Sequence, residues 1–117
     1  MRIEIRGRNV EVTDDLREMV RKRFQRLGRQ VSALATLDVV LSEERNPSIA
    51  EREVVEATLY LKGVTLRAHD ASREMAHSLN LVVDELARQV KRHRDKRRKR
   101  REAHAMATQL KSARAAL

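Results

Sequence analysis

Four segments of the chain alternate apolar and polar residues, a spacing that predicts β-strands with one buried face. The first strand is expected to break at residues 7–9, and Gly63 predicts a tight turn into a fourth strand over residues 64–68. The predicted inward residues of the first three strands are Ile3 and Ile5, then Leu37, Val39 and Leu41, then Val55, Ala57, Leu59 and Leu61.

Two further segments place apolar residues at helical spacing. In the first, Thr13 is the predicted N-cap and Gly28 the predicted C-cap. The second is expected to be capped by Asp70 or Ser72 and to continue past Val90, because good helix formers follow after the apolar stripe stops. The stripes are Leu16, Val20, Phe24 and Leu27 in the first helix and Met75, Leu79, Val82, Val83, Leu86 and Val90 in the second.

The order of these elements is strand, helix, three strands and a closing helix. Because each strand has only one apolar side, both helices are expected to cover the same face of one sheet. A helix between the first two strands makes them parallel neighbours with a right-handed connection, and the other strands form an antiparallel meander. The prediction is an α+β fold, β-α-β-β-β-α, whose four-stranded mixed sheet has the order 1-2-3-4.

The net charge of +9 comes from one part of the chain. Residues 88–101 contain ten Lys or Arg and a single Asp, whereas residues 1–87 are almost neutral. This contrast predicts an α+β binding domain over residues 1–95 and a basic helical extension, or the start of a linker, over residues 96–117. Like charges at this density repel one another, so the segment favours a polyanionic partner, nucleic acid first. A solvated tail without a ligand is the alternative.

Composition argues against several classes of function. The absence of Cys removes disulfides, thiolate zinc sites and Cys nucleophiles, and it suits a reducing compartment. His77, Asn80 and Asp84 share one side of a helix, but a polar helix flank accounts for them better than a metal site. No glycine-rich phosphate loop or catalytic triad is present in the sequence. We therefore expect no enzymatic activity, no cofactor, no metal and no small-molecule substrate.

The sequence also bounds the location of the protein and its mode of binding. The N-terminus lacks the apolar stretch of a signal peptide, and no apolar run is long enough to span a bilayer, so a cytoplasmic protein without a membrane partner is expected. Phe24 and Tyr60 are the only aromatic residues. Because bases are commonly read by stacking on aromatic side chains, contacts with nucleic acid are expected mainly at phosphate and sugar.

Basic residues on both helices are the candidates for such contacts. Cations near the end of the first helix have an alternative role, since they complement the helix dipole. Packed on one sheet face, the two helices would present their cations as a single outer surface. The candidates are Arg21, Lys22, Arg26 and Arg29 on the first helix and Arg88, Lys91, Arg92, Arg94, Lys96, Arg97 and Arg98 on the second.

Two segments resemble one bacterial family. The sequence IRGRNVEVTDDLREMVRKRFQRL, residues 5–27, is similar to the opening strand and first helix of the ribosome hibernation promoting factors and the related ribosome-associated inhibitor. The sequence DELARQVKRHRDK, residues 84–96, is similar to the closing helix motif of that family. The resemblance covers roughly residues 1–100 and implies a fold related in outline to double-stranded RNA-binding domains.

The resemblance implies a ribosome hibernation factor. Such factors bind the small ribosomal subunit in the channel between head and body, where they exclude messenger and transfer RNA and silence translation in stationary phase or stress. A general binder of structured RNA or duplex nucleic acid, without a ribosomal target, is the alternative. Family contacts with ribosomal RNA come largely from basic helix residues; the matching positions are Lys22, Arg26, Arg88, Lys91, Arg92, Arg94 and Lys96.

The sequence departs from the family pattern at three positions of the second helix. Ala76 replaces a Tyr, Asn80 replaces an Asp, and Glu85 stands where Lys is usual, so contacts from these positions are in question. Long members also carry a C-terminal dimerisation domain that pairs two ribosomes, and nothing in this sequence resembles it. The chain is expected to be a short member or the N-terminal part of a long one, with ribosome pairing only in the second case.

Overall fold

The structure is a computed structural model that describes residues 1–116. Its strands are β1 (Arg2–Arg8), β2 (Thr36–Glu43), β3 (Glu53–Leu61) and β4 (Val64–Ser72), and its helices are α1 (Asp14–Gly28) and α2 (Met75–Ala116). The sheet has the order β1-β2-β3-β4, with β1 parallel to β2 and the other pairs antiparallel. The predicted β-α-β-β-β-α fold is confirmed.

One apolar core lies between the sheet and the two helices. The register places Leu37 opposite Leu59 and Val39 opposite Ala57, so the buried residues of neighbouring strands form continuous rows. Phe24 of α1 and other apolar helix residues complete the same core. Since the buried strand residues alternate with more exposed ones, both helices cover one face and the other face is open to solvent.

β1 continues through the predicted break. Gly7 pairs with Leu41, and the turn falls two residues later at Asn9, whose φ is 63°. A Cβ at Gly7 would overlap the carbonyl oxygen of Val10 and would lie 2.8 Å from the side chain of Val12. Gly7 is therefore required by the close approach of the returning chain, rather than by an interruption of the strand.

The two predicted caps of α1 have different outcomes. Thr13 is the N-cap as predicted, since its hydroxyl accepts a hydrogen bond of 3.2 Å from the backbone N–H of Leu16. The prediction for Gly28 is wrong. Gly28 is the last helical residue, and Arg29 is the C-cap with an ordinary right-handed backbone. Without a left-handed residue at this end, no glycine is required there.

β4 is longer than predicted because it pairs with the whole of β3 down to Glu53. Asp70 therefore lies within the strand and is not a helix cap. Ser72 stands just before α2, where its hydroxyl accepts a hydrogen bond of 3.2 Å from the N–H of Glu74. Ser78, a buried residue in the apolar stripe, donates from its hydroxyl to the Glu53 carbonyl oxygen at 2.6 Å and ties α2 to β3.

α2 spans 42 residues, and its last buried residue is Val90. Its remainder projects from the domain, so the molecule measures 74 × 28 × 18 Å. The helix is unbroken from the core into the basic segment, as expected from the run of helix formers. Across residues 1–116, no helix is long and apolar enough to cross a membrane.

Candidate nucleic-acid interface

α1 and α2 lie side by side in parallel. The Arg23 guanidinium donates to the Asn80 side-chain oxygen at 2.7 Å, and one turn further along both helices Arg26 lies 4.0 Å from Asp84. Because the residue numbers of these contacts rise together on both helices, their axes run in the same direction. The outward stripes of the two helices are consequently neighbours.

The α1 candidates divide between two sides of the helix. Lys22 and Arg29 stand four residues before and three residues after Arg26, a spacing that places all three on one stripe next to α2. Arg21 precedes Arg23 by two residues, which is about 160° around the helix axis. Arg23 contacts α2, so Arg21 projects from the opposite flank of α1 and is apart from the other three.

Three of the α2 candidates continue the stripe that begins at Asp84. Arg88, Lys91 and Arg98 follow Asp84 by 4, 7 and 14 residues, intervals close to whole turns of an α-helix. All three are exposed. Together with the α1 stripe they form what we call the outer cationic surface, which consists of Lys22, Arg26, Arg29, Arg88, Lys91 and Arg98.

The other α2 candidates lie on different sides of the helix. Gln89 donates to a β4 carbonyl oxygen at 2.7 Å, which defines the side of α2 next to β4. Lys96 follows Gln89 by seven residues and shares that side, whereas Arg92, which follows Arg88 by four residues and Gln89 by three, lies between that side and the outer cationic surface. Arg94 and Arg97 line a groove at the end of the sheet. The single surface expected from the sequence therefore holds six of the eleven candidates.

Several candidate cations are paired with carboxylates. Glu85 lies 2.7 Å from Arg88 and 3.8 Å from Arg92. The hydrogen bond from Arg88, followed by that from Gln89, holds the pKa of the Glu85 carboxyl below its ordinary value. The group is consequently ionised at neutral pH, and it partly compensates both arginines. Arg98 is similarly placed between two carboxylates, at 3.8 Å and 3.9 Å.

The remaining cations of the outer surface are uncompensated. In the described part of the chain, no carboxylate lies within 4.0 Å of Lys22, Arg29 or Lys91. Each of these side chains is exposed and can move towards a phosphate without first breaking an ion pair. These three residues are therefore the strongest candidates for direct phosphate contact.

The polar flank at the start of α2 has a structural role. Asn80 and Asp84, which share a helix side with His77, bind Arg23 and Arg26 of the neighbouring helix. Among residues 1–116, no group of three or more His, Asp or Glu residues is arranged to hold a metal ion. The Asn80 side chain therefore contributes to the packing of α2 against α1.

A groove at the end of the sheet was not predicted. It has a volume of about 690 Å³ and lies between α2, the loop after α1 and the end of β3. Its cations include Arg101, which belongs to the basic segment but was not among the candidates. We call it the terminal groove; its lining includes Val31, Leu34, Tyr60, Leu61, Lys62, Val90, His93, Arg94, Arg97 and Arg101.

Known structures share this architecture. The N-terminal domain of Protein Y from Thermus thermophilus is 31% identical, has a TM-score of 0.70, and is matched over 80% of this chain and 99% of that one. A ribosomal subunit interface protein from Coxiella burnetii, 21% identical with a TM-score of 0.68, is matched over 81% and 99% and shares the fold. The fold thus belongs to a class of small α+β domains found in bacterial proteins.

The chain belongs to the sigma 54 modulation protein / S30EA ribosomal protein family, whose sequence pattern matches residues 3–98. It is 34% identical to the ribosome hibernation promoting factor of Salmonella typhimurium over 82% of this chain and 96% of that one. It is 31% identical to the ribosome hibernation promotion factor of a Picosynechococcus strain over 82% of this chain, but it spans only 50% of that relative. This membership confirms the predicted family, which is one of hibernation factors and not of enzymes.

Proposed function

We propose that this chain is a ribosome hibernation factor, which binds the small ribosomal subunit in the channel for messenger and transfer RNA and silences translation in stationary phase or stress. The observation that carries the proposal is the outer cationic surface, which two parallel helices build on a domain of this family. Residues 1–95 would form the ribosome-binding domain, and residues 96–117 a basic helical extension. The site of action is the cytoplasm.

The mechanism is steric and electrostatic. The cations of the outer surface replace counterions along the ribosomal RNA backbone, and their release favours binding without any chemical reaction. The rigid pair of helices fixes the spacing of the cations, because their inward sides are buried in one core. The bound domain then occupies the volume that messenger and transfer RNA need. No cofactor or small-molecule substrate takes part.

A general binder of structured RNA or duplex nucleic acid is the second candidate function. It is favoured by the distribution of charge on the extension, where successive residues such as Lys96, Arg97 and Arg98 point about 100° apart. A cation on every side suits any phosphate backbone and requires no particular target. The two functions differ in selectivity, since only the first predicts preference for the small subunit over excess duplex.

Co-sedimentation with purified small ribosomal subunits at stepped salt tests the proposal. If six to ten phosphates are contacted, affinity is expected to fall by roughly 10³- to 10⁵-fold between about 50 and 200 mM salt. A large excess of random duplex RNA is expected to leave most of the chain on the subunits. Complete displacement by the duplex would favour the second function, and no binding at the lowest salt would reject both.

Cutting the chain after Asp95 tests the proposed division into domain and extension. No described residue beyond Val90 is buried, so the free energy of unfolding is expected to change by less than about 1 kcal/mol. Affinity for the small subunit should fall, because six consecutive cations, residues 96–101, are removed. Chemical denaturation measures the first quantity and co-sedimentation the second. An unfolded 1–95 fragment would place the boundary elsewhere.

Replacing Glu85 by Gln is expected to tighten ribosome binding about three- to tenfold near 100 mM salt. The substitution removes the carboxylate that compensates Arg88 and Arg92, and both guanidiniums become available to phosphate. Glu51→Gln is the matched control, because it makes the same change of charge at an exposed residue far from these arginines. Affinities from co-sedimentation check the difference. Equal gains in both variants would show that only net charge matters.

A further inference from the structure

The terminal groove differs from the outer cationic surface in its shape and its lining. Its volume of about 690 Å³ falls within the range of small-molecule sites, about 300–1,000 Å³. Three segments that are distant in sequence form it: the loop over residues 30–35, the end of β3, and residues 90–101 of α2. Among the described residues that line it there is no Asp or Glu, so every charged side chain in its lining is a Lys or Arg.

One wall of the groove is made of guanidinium groups. Arg94, Arg97 and Arg101 stand at i, i+3 and i+7 and so face the same side of α2. Within residues 1–116 none of them has a carboxylate within 4.0 Å, whereas the adjacent Arg98 is paired with Asp95. Three guanidiniums without a carboxylate partner on one wall supply pairs of N–H donors, which are the groups that bind phosphate in proteins.

The rest of the lining is mixed in polarity. Leu34 is 93% exposed, Leu61 is half-buried and Val90 of α2 is buried, and the polar residues Tyr60 and Lys62 also line the groove. A large apolar side chain that is almost fully exposed at the mouth of a positive groove offers contact to a flat ring. Guanidinium planes and aromatic rings both stack on nucleic-acid bases, so the arginine wall and Tyr60, which is 44% exposed, can contact a base in the groove.

His93 adds an unsatisfied polar atom to this groove. Its Nε2 is buried and has no hydrogen-bond partner among the described residues. A buried polar atom without a protein partner is unusual and costs stability, so a water molecule or another bound group is expected beside it. A small rotation of the imidazole would expose this nitrogen to the hydrogen-bonding edge of a base lying in the groove.

We propose that the terminal groove binds one nucleotide unit, with its base against Leu34 and Leu61 and its phosphate at Arg97 and Arg101. The unit is a free nucleotide or a single nucleotide extruded from an RNA strand, because both present the same base and phosphate. The proposal goes beyond ribosome binding and does not depend on it. It adds a base contact to the contacts that the sequence predicted mainly at phosphate and sugar.

Methyl-detected NMR on the full chain tests the proposal. The methyl resonances of Val31, Leu34, Leu61 and Val90 are followed while 5′-AMP, adenosine, inorganic phosphate or the adenylate trinucleotide is added. We expect saturable shifts at these four residues with 5′-AMP or with the trinucleotide, and weaker binding of adenosine and phosphate alone. A response to 5′-AMP assigns the groove to free nucleotides as well as RNA, and a response to the trinucleotide alone assigns it to RNA.

Two substitutions in the groove sharpen the test. Leu34 is not among the proposed ribosome contacts, whereas Arg101 is one of the extension cations, so its variant is also measured for ribosome binding. Leu34→Asp places a negative charge at the mouth of the groove and is expected to weaken nucleotide binding about tenfold or more. Arg101→Gln removes a phosphate donor and is expected to weaken it about tenfold. Arg114→Gln, which removes one charge from the same helix outside the groove, should change nothing.

Three results would overturn the nucleotide site. These are the absence of methyl shifts with both 5′-AMP and the trinucleotide, equal binding of phosphate alone, and unchanged binding in Leu34→Asp. Co-sedimentation of the same variants with small subunits separates this proposal from the ribosomal one. Nucleotide binding without ribosome binding would reject the proposed function and leave the groove assignment intact.

Discussion

Replacing Lys22, Arg29 and Lys91 together by glutamine is expected to weaken binding to the small ribosomal subunit by roughly 10²- to 10³-fold near 100 mM salt. These are the three cations of the outer surface that no carboxylate compensates, so each contributes its full counterion release on binding. The slope of log affinity against log salt should fall by about three at the same time, one for each lost contact. Co-sedimentation over a salt series measures both quantities.

A matched variant separates the position of the charges from their number. Arg6, Arg67 and Arg73 are exposed residues away from the outer cationic surface, and their replacement by glutamine removes the same total charge. We expect this control to lose less than about tenfold in affinity, through the weaker long-range field alone. Equal losses in the two triple variants would show that the outer surface has no special role.

Replacing Phe24 by Ala is expected to lower the free energy of unfolding by about 3–5 kcal/mol. The Phe24 side chain is completely buried between α1 and the sheet, and its removal leaves a cavity that the packed strands cannot fill. Small domains are stable by only about 5–15 kcal/mol, so a large fraction of the stability would be lost. Chemical denaturation followed by circular dichroism gives the value.

Leu34→Ala is the control for this substitution. It also removes an apolar side chain, but Leu34 is 93% exposed, so a change within about 0.5 kcal/mol is expected. Ribosome binding by Phe24→Ala should decline in step with the folded fraction, since α1 carries Lys22 and Arg29. Full affinity in an unfolded Phe24→Ala chain would mean that charge alone, without the helix pair, accounts for binding.

The alternation of residues was sufficient to predict the strands, because a sheet with one covered face buries every second side chain. The end of β4 was not predictable in this way. His69 and Asp70 are polar, so the sequence at this point has the pattern of a loop. In the structure they pair with Glu56 and Val55, because β3 extends that far. Ser78 was missed for a related reason, since a polar residue within an apolar stripe gives no sign that it is buried.

The candidate site could be predicted in part. Helical periodicity assigns residues to the sides of one helix, but the relation between two helices depends on their packing. The contacts of Arg23 with Asn80 and of Arg26 with Asp84 place the stripes side by side, and only the structure reveals that Arg21 lies outside them. The terminal groove had no signal in the sequence, because its walls come from segments that are far apart along the chain.

Competition with transfer RNA on the small subunit distinguishes steric exclusion from binding elsewhere. Labelled transfer RNA is bound to small subunits that carry a messenger, and the chain is then added in excess. We expect transfer RNA to be released as the chain binds, and the Lys22, Arg29 and Lys91 glutamine variant to release far less at the same concentration. Transfer RNA that stays on the subunits while the chain sediments with them would show that the chain does not occupy the transfer RNA channel.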